Sequence, residues 1–366
     1  MKKIPVIDMH CDTIALMRSC AVQAENLRTG RKTEGTGYSF EVTEEELKEG
    51  IGLRRNNRMI DLERLKDSNY MCQCFAMYVS DASAQAAGMG RFEYLCSISD
   101  LLDSEIAKNS DIIRMAFTGS EIEKNFREGY VSCLKTVEEG LPYEGKIENL
   151  REAYRRGVRK STLTWNYENE LGFGNKFERD PRTGTPLMVA DDVNGLKKTG
   201  FEFVEAMEEM GMIIDVSHLN DAGIRDILKT IRKSTPFVAS HSNARGLCHH
   251  PRNLTDEFLK ALAEHGGVTG INFCHAFLND DQLYDTDKLS RISDMVEHAK
   301  YIKNIAGIDV IGLGSDFDGV SSVLEINGAG EMQKLAEALD RAGFTGEEVE
   351  KIFWKNTLRV YKEVLG

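Results

Sequence analysis

The first residues able to do chemistry are His10 and Asp12, in PVIDMHCDT, where a short apolar run ends. In extended backbone, side chains two positions apart face the same way, so an imidazole and a carboxylate converge on one point. Nitrogen and oxygen donors of this kind suit a divalent cation. A single His-x-Asp is also what an ordinary hydrogen-bonded strand end looks like, so chemistry requires further ligands from elsewhere. Candidates follow other apolar runs: Glu138 (with Glu139) after VSCLKTV, His218 in MIIDVSH, His241 in TPFVASH, and Asp316 and Asp318 in GSDFDG. His249, His250, His265 and His298 do not directly end such a run and read as ordinary hydrogen-bonded residues. His275 is undecided.

The elements that must carry these residues alternate along the chain. Strands are expected near residues 5–8, 71–79, 131–138, 158–164, 212–216, 236–240, 267–273 and 309–314. Their apolar, β-branched composition suits strands buried on both faces. Helical spacing fills the intervals, as in FEFVEAMEEMG, which closes on Gly211, and IENLREAYRRG, which closes on Gly157. A short strand precedes a helix near Ser120, and a capping-box sequence from Thr345 to Glu348 opens the last helix. Residues 13–69 read as a helix and a long polar excursion, with Gly30, Gly35, Gly37, Gly50 and Gly52, leading to a helix around Asp61 to Lys66. Residues 166–186 read as a polar loop of active-site or surface character. Eight strand–helix units predict an α/β fold, a (β/α)8 TIM-type barrel spanning 1–366 as one domain. An open doubly wound sheet is the alternative, because periodicity does not close a barrel. In a barrel, the C-terminal strand ends share one mouth, and all the candidate ligands sit at those ends.

Composition narrows the function classes. Hydrophobic residues are 41% and charged residues 29% of the 366, as in ordinary soluble globular proteins. The net charge of −13 and the lack of a basic stripe argue against nucleic acid or an anionic membrane as partner. No stretch approaches the roughly 20 apolar residues that span a bilayer. Asp8 and His10 interrupt the N-terminal run before a signal-peptide core could form. The 8 cysteines are scattered without a C-x-x-C pair and read as reduced. A cytoplasmic protein is expected; a homodimer is compatible with the sequence.

Taken together, IDMHCDT, TVEEG, GMIIDVSHL, SHSNARG, HPRNL, GSDFDGV and NTLRV resemble the renal-type (membrane) dipeptidase family of binuclear zinc peptidases, within the amidohydrolase superfamily. The resemblance runs along essentially the whole chain. It implies two zinc ions: His10, Asp12 and Glu138 hold one, His218 and His241 the other, and Glu138 bridges them. Such paired metals share a water whose pKa falls toward neutrality. Asp316 would take the proton from that water and pass it to the leaving amine. Arg252 would clamp the carboxylate of a small dipeptide. Asn356 also belongs to the matching motifs. Two positions depart from the family. Trp165 stands where animal enzymes carry a histidine thought to hold the substrate carbonyl, and Cys274 where they carry a tyrosine. Trp165, its neighbour Asn166 and Cys274 are therefore expected to line the substrate pocket. The expected activity is metal-dependent hydrolysis of free dipeptides, L,D- as well as L,L-. The alternatives are another small amide or lactone, or a metal-binding barrel without catalysis.

Overall fold

A computed structural model describes residues 3–31, 43–283 and 287–366. The expectation of eight buried parallel strands is met by β1 (Val6–Cys11), β2 (Tyr70–Tyr78), β3 (Val131–Glu138), β4 (Val158–Thr162), β5 (Ile213–Asp215), β6 (Val238–Ala239), β7 (Val268–Ile271) and β8 (Ile311–Leu313). Each pairs in parallel with the next, and β8 returns to β1 through Asp8 and Leu313, so the sheet closes. Closure leaves no barrel edge to protect, and every residue of β1 and β3 is buried. The open-sheet alternative is thereby set aside.

Helices cover the outside of the barrel. Leu95, Ile98 and Leu102 of the helix Arg91–Lys108, and Phe203, Val204 and Met207 of the helix Lys198–Met210, are buried in the main apolar core. Gly211 takes φ +67° and stops its helix in the left-handed conformation that glycine adopts without penalty. The last helix, Asn356–Leu365, contacts β1, β5, β7 and β8. Its Leu358, Val360 and Tyr361 pack with Ile7, Met9, Cys72, Leu134, Ile213, Val238 and Val268, closing the end of the barrel opposite the mouth.

Two features differ from the sequence expectation. The capping box at Thr345 forms, but the helix it opens passes through a π turn at Lys351–Lys355 before Asn356–Leu365. The polar stretch 166–186 is not all loop: Lys176–Arg179 pairs antiparallel with Pro186–Val189. All four residues of the first of these strands are exposed, so it has no apolar face to betray it. In the 13–69 excursion, helices Thr13–Thr29 and Leu62–Asp67 flank a segment whose residues 32–42, with Gly35 and Gly37, lie outside the described residues. Among the described residues, no helix is long and apolar enough to cross a membrane.

Candidate active site

The C-terminal ends of the strands bring the expected ligands together. His10 comes from β1 and Asp12 follows it; Glu138 ends β3; His218 and His241 lie just beyond β5 and β6; Asp316 follows β8. The backbone is bent to do this. Among the described residues, Glu139, His218, Asp316 and Asp318 all take positive φ, between +62° and +87°, although none is glycine. Such conformations cost about 1–3 kcal/mol each and persist where the surroundings enforce them. Gly319 lets the β8 loop fold back, since a Cβ there would run into the carboxylates of Asp12 and Asp316.

The donor atoms converge. His10 Nε2 lies 3.4 Å from Asp12 Oδ2, 3.4 Å from Glu138 Oε2 and 3.8 Å from Asp316 Oδ1. These contacts are near enough for ion pairs but not shaped as hydrogen bonds, and this buried nitrogen has no hydrogen-bond partner among the described residues. The other oxygen of Glu138 faces different histidines: Oε1 is 2.9 Å from His218 Nε2 and 3.7 Å from His241 Nε2. His218 Nε2 and His241 Nε2 are themselves 2.9 Å apart. His218 Nδ1 lies 2.9 Å from Asn166 Oδ1, an acceptor, so Nδ1 carries the proton and Nε2 presents a lone pair. A lone pair held against an anionic oxygen and a second imidazole nitrogen calls for a cation among them. Donor atoms of His10, Glu138 and His241, and of His10, Asp12 and Asp316, form two groups within 4.8 Å. This nitrogen-and-oxygen set fits divalent metal ions such as zinc.

Electrostatics agree with the geometry. Burial alone would lower the His10 pKa, but the Glu138 and Asp12 carboxylates outweigh it and hold the imidazole well above its ordinary value. Burial opposes ionisation of Glu138, yet His10 and His218 keep its carboxyl well below the usual range. Burial and the Glu138 charge push Asp12 up to about 8. Burial, with the Arg252 charge, lowers His218 to about 4. Burial likewise depresses His241 and raises Asp316. Groups pushed in opposite directions within one cluster mark functional sites.

A second set of contacts aims these side chains. His241 Nδ1 meets the Ser240 hydroxyl at 2.8 Å, and Asn272 Nδ2 donates to Asp316 Oδ2 at 2.9 Å. The fully buried Lys160 donates to the Met9 carbonyl at 2.6 Å and lies 3.4 Å from Asp215, which accepts the Ser240 and Ser217 N–H groups. These contacts tie together the ends of β1, β4, β5 and β6, much as second partners orient metal ligands generally.

Above the cluster lies a cavity of about 360 Å³. Asp12, Glu138, Trp165, Asn166, His218, Arg252, Cys274 and Asp316 all line it, while His10 and His241 sit buried beneath. Arg252 is 4% exposed; its Nη1 reaches the Ser242 hydroxyl at 3.4 Å, and its buried Nε and Nη2 have no hydrogen-bond partner among the described residues. Burial lowers the pKa of this guanidinium, with Asp316 and Glu138 acting against that loss. Trp165 stacks on His218, with centroids 5.6 Å apart, and packs against Tyr78 at 5.1 Å. Cys274, its thiol pushed up to about 11 by burial and Asp316, faces the same space. Asp318 is turned away, accepting from the Thr13 hydroxyl at 2.6 Å and the Met59 N–H at 2.9 Å. Asn356 lies at the other end of the barrel, donating to the Ile308 and Ile311 carbonyls.

Sequence reasoning passed over several lining residues, among them Tyr78, Met188, His250 and Phe277. Tyr78 ends β2, and its place at a strand end was a usable signal. Met188 comes from the unforeseen hairpin, and His250 and Phe277 are placed by loops.

Comparison with known proteins accords with this arrangement. The profile of the family described as membrane dipeptidase (peptidase family M19) matches residues 1–365. An uncharacterized protein in the pqqA 5′ region of Klebsiella pneumoniae is 33% identical over 266 residues, 72% of this chain and 93% of that protein. Dipeptidase tcpJ of Claviceps purpurea is 29% identical over 83% of this chain and 69% of its own length. A metallopeptidase from Rhodobacter sphaeroides, solved with a phosphinate mimic of the dipeptide L-Ala-D-Ala, superposes with a TM-score of 0.80. It covers 99% of this chain and 100% of that one, and at 22% identity it shows a shared fold. The chain belongs to the membrane dipeptidase family, peptidase family M19.

Proposed function

We propose that the cavity hydrolyses the peptide bond of free dipeptides, L,D- as well as L,L-, with two zinc ions held at its floor. The observation that carries this reading is the pairing, across one small cavity, of an anionic and imidazole cluster with a buried guanidinium that has two unpartnered donors. The first suits metal-assisted attack on a carbonyl; the second suits a free carboxylate. A dipeptide carries both groups close together. The Rhodobacter sphaeroides neighbour, solved with its L-Ala-D-Ala mimic, supports the L,D- range.

His10 and Asp12 would hold one metal and His218 and His241 the other. Glu138 would serve both, since its Oε2 faces His10 and its Oε1 faces His218. Bound there, the pair supplies Lewis-acid polarisation of the scissile carbonyl and activation of water near neutral pH. The chain's own groups do the rest. Arg252 takes the substrate carboxylate through Nε and Nη2 and so fixes the register of the peptide bond. Asp316, steadied by Asn272, receives the proton of the attacking water and returns it to the departing amine nitrogen. Asn166 holds His218 in the tautomer that frees Nε2. Trp165 and Tyr78 form an aromatic wall that limits water and shapes the side-chain space; Cys274 leaves room where a larger residue would fill it.

A panel of L,L- and L,D-dipeptides, with N-acylated dipeptides, dipeptide amides and lactones as controls, tests the reading. Free dipeptides should be hydrolysed, a chelator should abolish turnover, and zinc should restore it. Turnover of lactones or N-acyl amides without turnover of dipeptides would overturn it.

A further inference from the structure

His250 lies two residues before Arg252 in HPRNL and is half-buried on the cavity wall. The Arg252 N–H donates to its Nδ1 at 3.1 Å, so Nδ1 is the acceptor nitrogen and Nε2 carries the proton of the neutral ring. No protein group among the described residues accepts from Nε2. The ring lies 4.6 Å, centroid to centroid, from Phe277, and the guanidinium carbon of Arg252 lies 5.4 Å from the same centroid. His250 and Arg252 thus share one aromatic support and one cavity. Arg252 arrives with two unused donors, Nε–H and Nη2–H, among the described residues. The side-chain hydrogen bond of His250 among them is taken at Nδ1, which leaves its Nε2–H for a ligand.

We infer that His250 is a second donor to the substrate's carboxylate, gripping it through Nε2–H beside Arg252. The inference rests on the reading of Arg252 as the carboxylate anchor. It adds a residue that contacts substrate and sets specificity for a free C-terminal acid. Burial, helped by the positive charges of Arg252 and Arg245 and opposed by Asp280, lowers the His250 pKa to about 3. The ring therefore stays neutral, with its proton placed by the Arg252 backbone. A neutral donor can share a carboxylate with a guanidinium without adding a second positive charge to the buried corner.

Two substitutions separate contact with substrate from support of the loop. His250→Asn keeps an acceptor near the Nδ1 position for the Arg252 N–H and removes the cavity donor. His250→Gln places an amide donor near the Nε2 position and gives up the acceptor. With zinc-loaded full-length enzyme and one good dipeptide, His250→Asn should raise KM roughly tenfold with little change in kcat, as loss of a charge-assisted hydrogen bond predicts. His250→Gln should stay within about threefold of the parent. The amide of the same dipeptide should be indifferent to both. A parental His250→Asn with an impaired His250→Gln would assign His250 to loop support and overturn the inference. Equal losses in both, or none in either, would also overturn it. Arg252→Met, run beside them, tells the two readings apart. If it weakens acid and amide alike, the carboxylate reading itself fails. If it discriminates between them and His250→Asn does not, only the second donor fails.

Discussion

The two ends of the barrel make opposite use of similar chemistry. At the end away from the mouth, a cleft of about 550 Å³ is lined by Ala263, Asp309, Lys351, Lys355, Asn356 and Arg359. It is larger than the cavity at the mouth, and it is charged. Yet its charges answer one another: Lys351 pairs with Asp309 at 2.7 Å, Lys355 with Glu347 and Glu350 at 2.7 and 2.6 Å, and Arg359 donates to the Gly266 and Asp309 carbonyls. At the mouth, His10 Nε2 and two donors of Arg252 are buried without hydrogen-bond partners among the described residues, and the backbone is held at positive φ. Unpaired buried polar groups cost free energy, so a fold that keeps several at one place retains them for a ligand. Volume alone would have chosen the wrong end.

The largest expected effect comes from the mouth. Asp316→Asn should lower turnover by about two to four orders of magnitude, the usual worth of a general base, while metal content stays near parental. Asp318→Asn should do far less to turnover, because Asp318 is spent on Thr13 and Met59. If Asp318→Asn proved the more damaging, the proton-transfer group is misassigned. Next, Arg252→Met should weaken free dipeptides roughly ten- to a hundredfold more than their amides. Equal losses would make Arg252 a structural arginine and erase one half of the contrast.

A histidine between the two ends gives a smaller effect. His298 is fully buried, accepting the Ala244 N–H at 3.1 Å and donating to the Leu278 carbonyl at 2.9 Å. Burial lowers its pKa to about 4, against about 6.5 in an unfolded chain. Between those values the unfolded chain binds more protons, so the stability His298 contributes is full above about pH 6.5 and is lost as pH falls toward 4. Urea midpoints at pH 7 and pH 5 should therefore differ less in His298→Gln than in the parent; an unchanged difference would contradict the assignment. The smallest effect belongs to the far cleft. Lys351→Ala should cost at most about 1 kcal/mol of stability, as exposed ion pairs do, and leave kcat/KM unaltered. A loss of activity there would break the comparison.

The barrel and the metal cluster were legible for one reason. Strands buried on both faces are continuous apolar runs, and a barrel collects its functional groups where those runs stop. His10, Glu138, His218, His241 and Asp316 could be picked out by that rule alone. The division proposed for them between two metals could not, since it depends on which oxygen of Glu138 faces which imidazole. Arg252 was visible through its motif, whereas His250, two residues earlier, was dismissed: it ends no strand, and only the loop's course brings its ring to Phe277. Asn166 was expected to face substrate. It does line the cavity, but its amide oxygen is engaged by His218, a contact between loops far apart in sequence. The hairpin bearing Met188 escaped notice because an exposed strand carries no hydrophobic alternation.

The two-metal site proposed at the mouth turns on Glu138. Elemental analysis of the protein after reconstitution with zinc and removal of the excess measures it most directly. The account predicts close to two zinc ions per chain, falling when Glu138 is replaced by Gln. A stoichiometry that stays at one in the parent protein would contradict it.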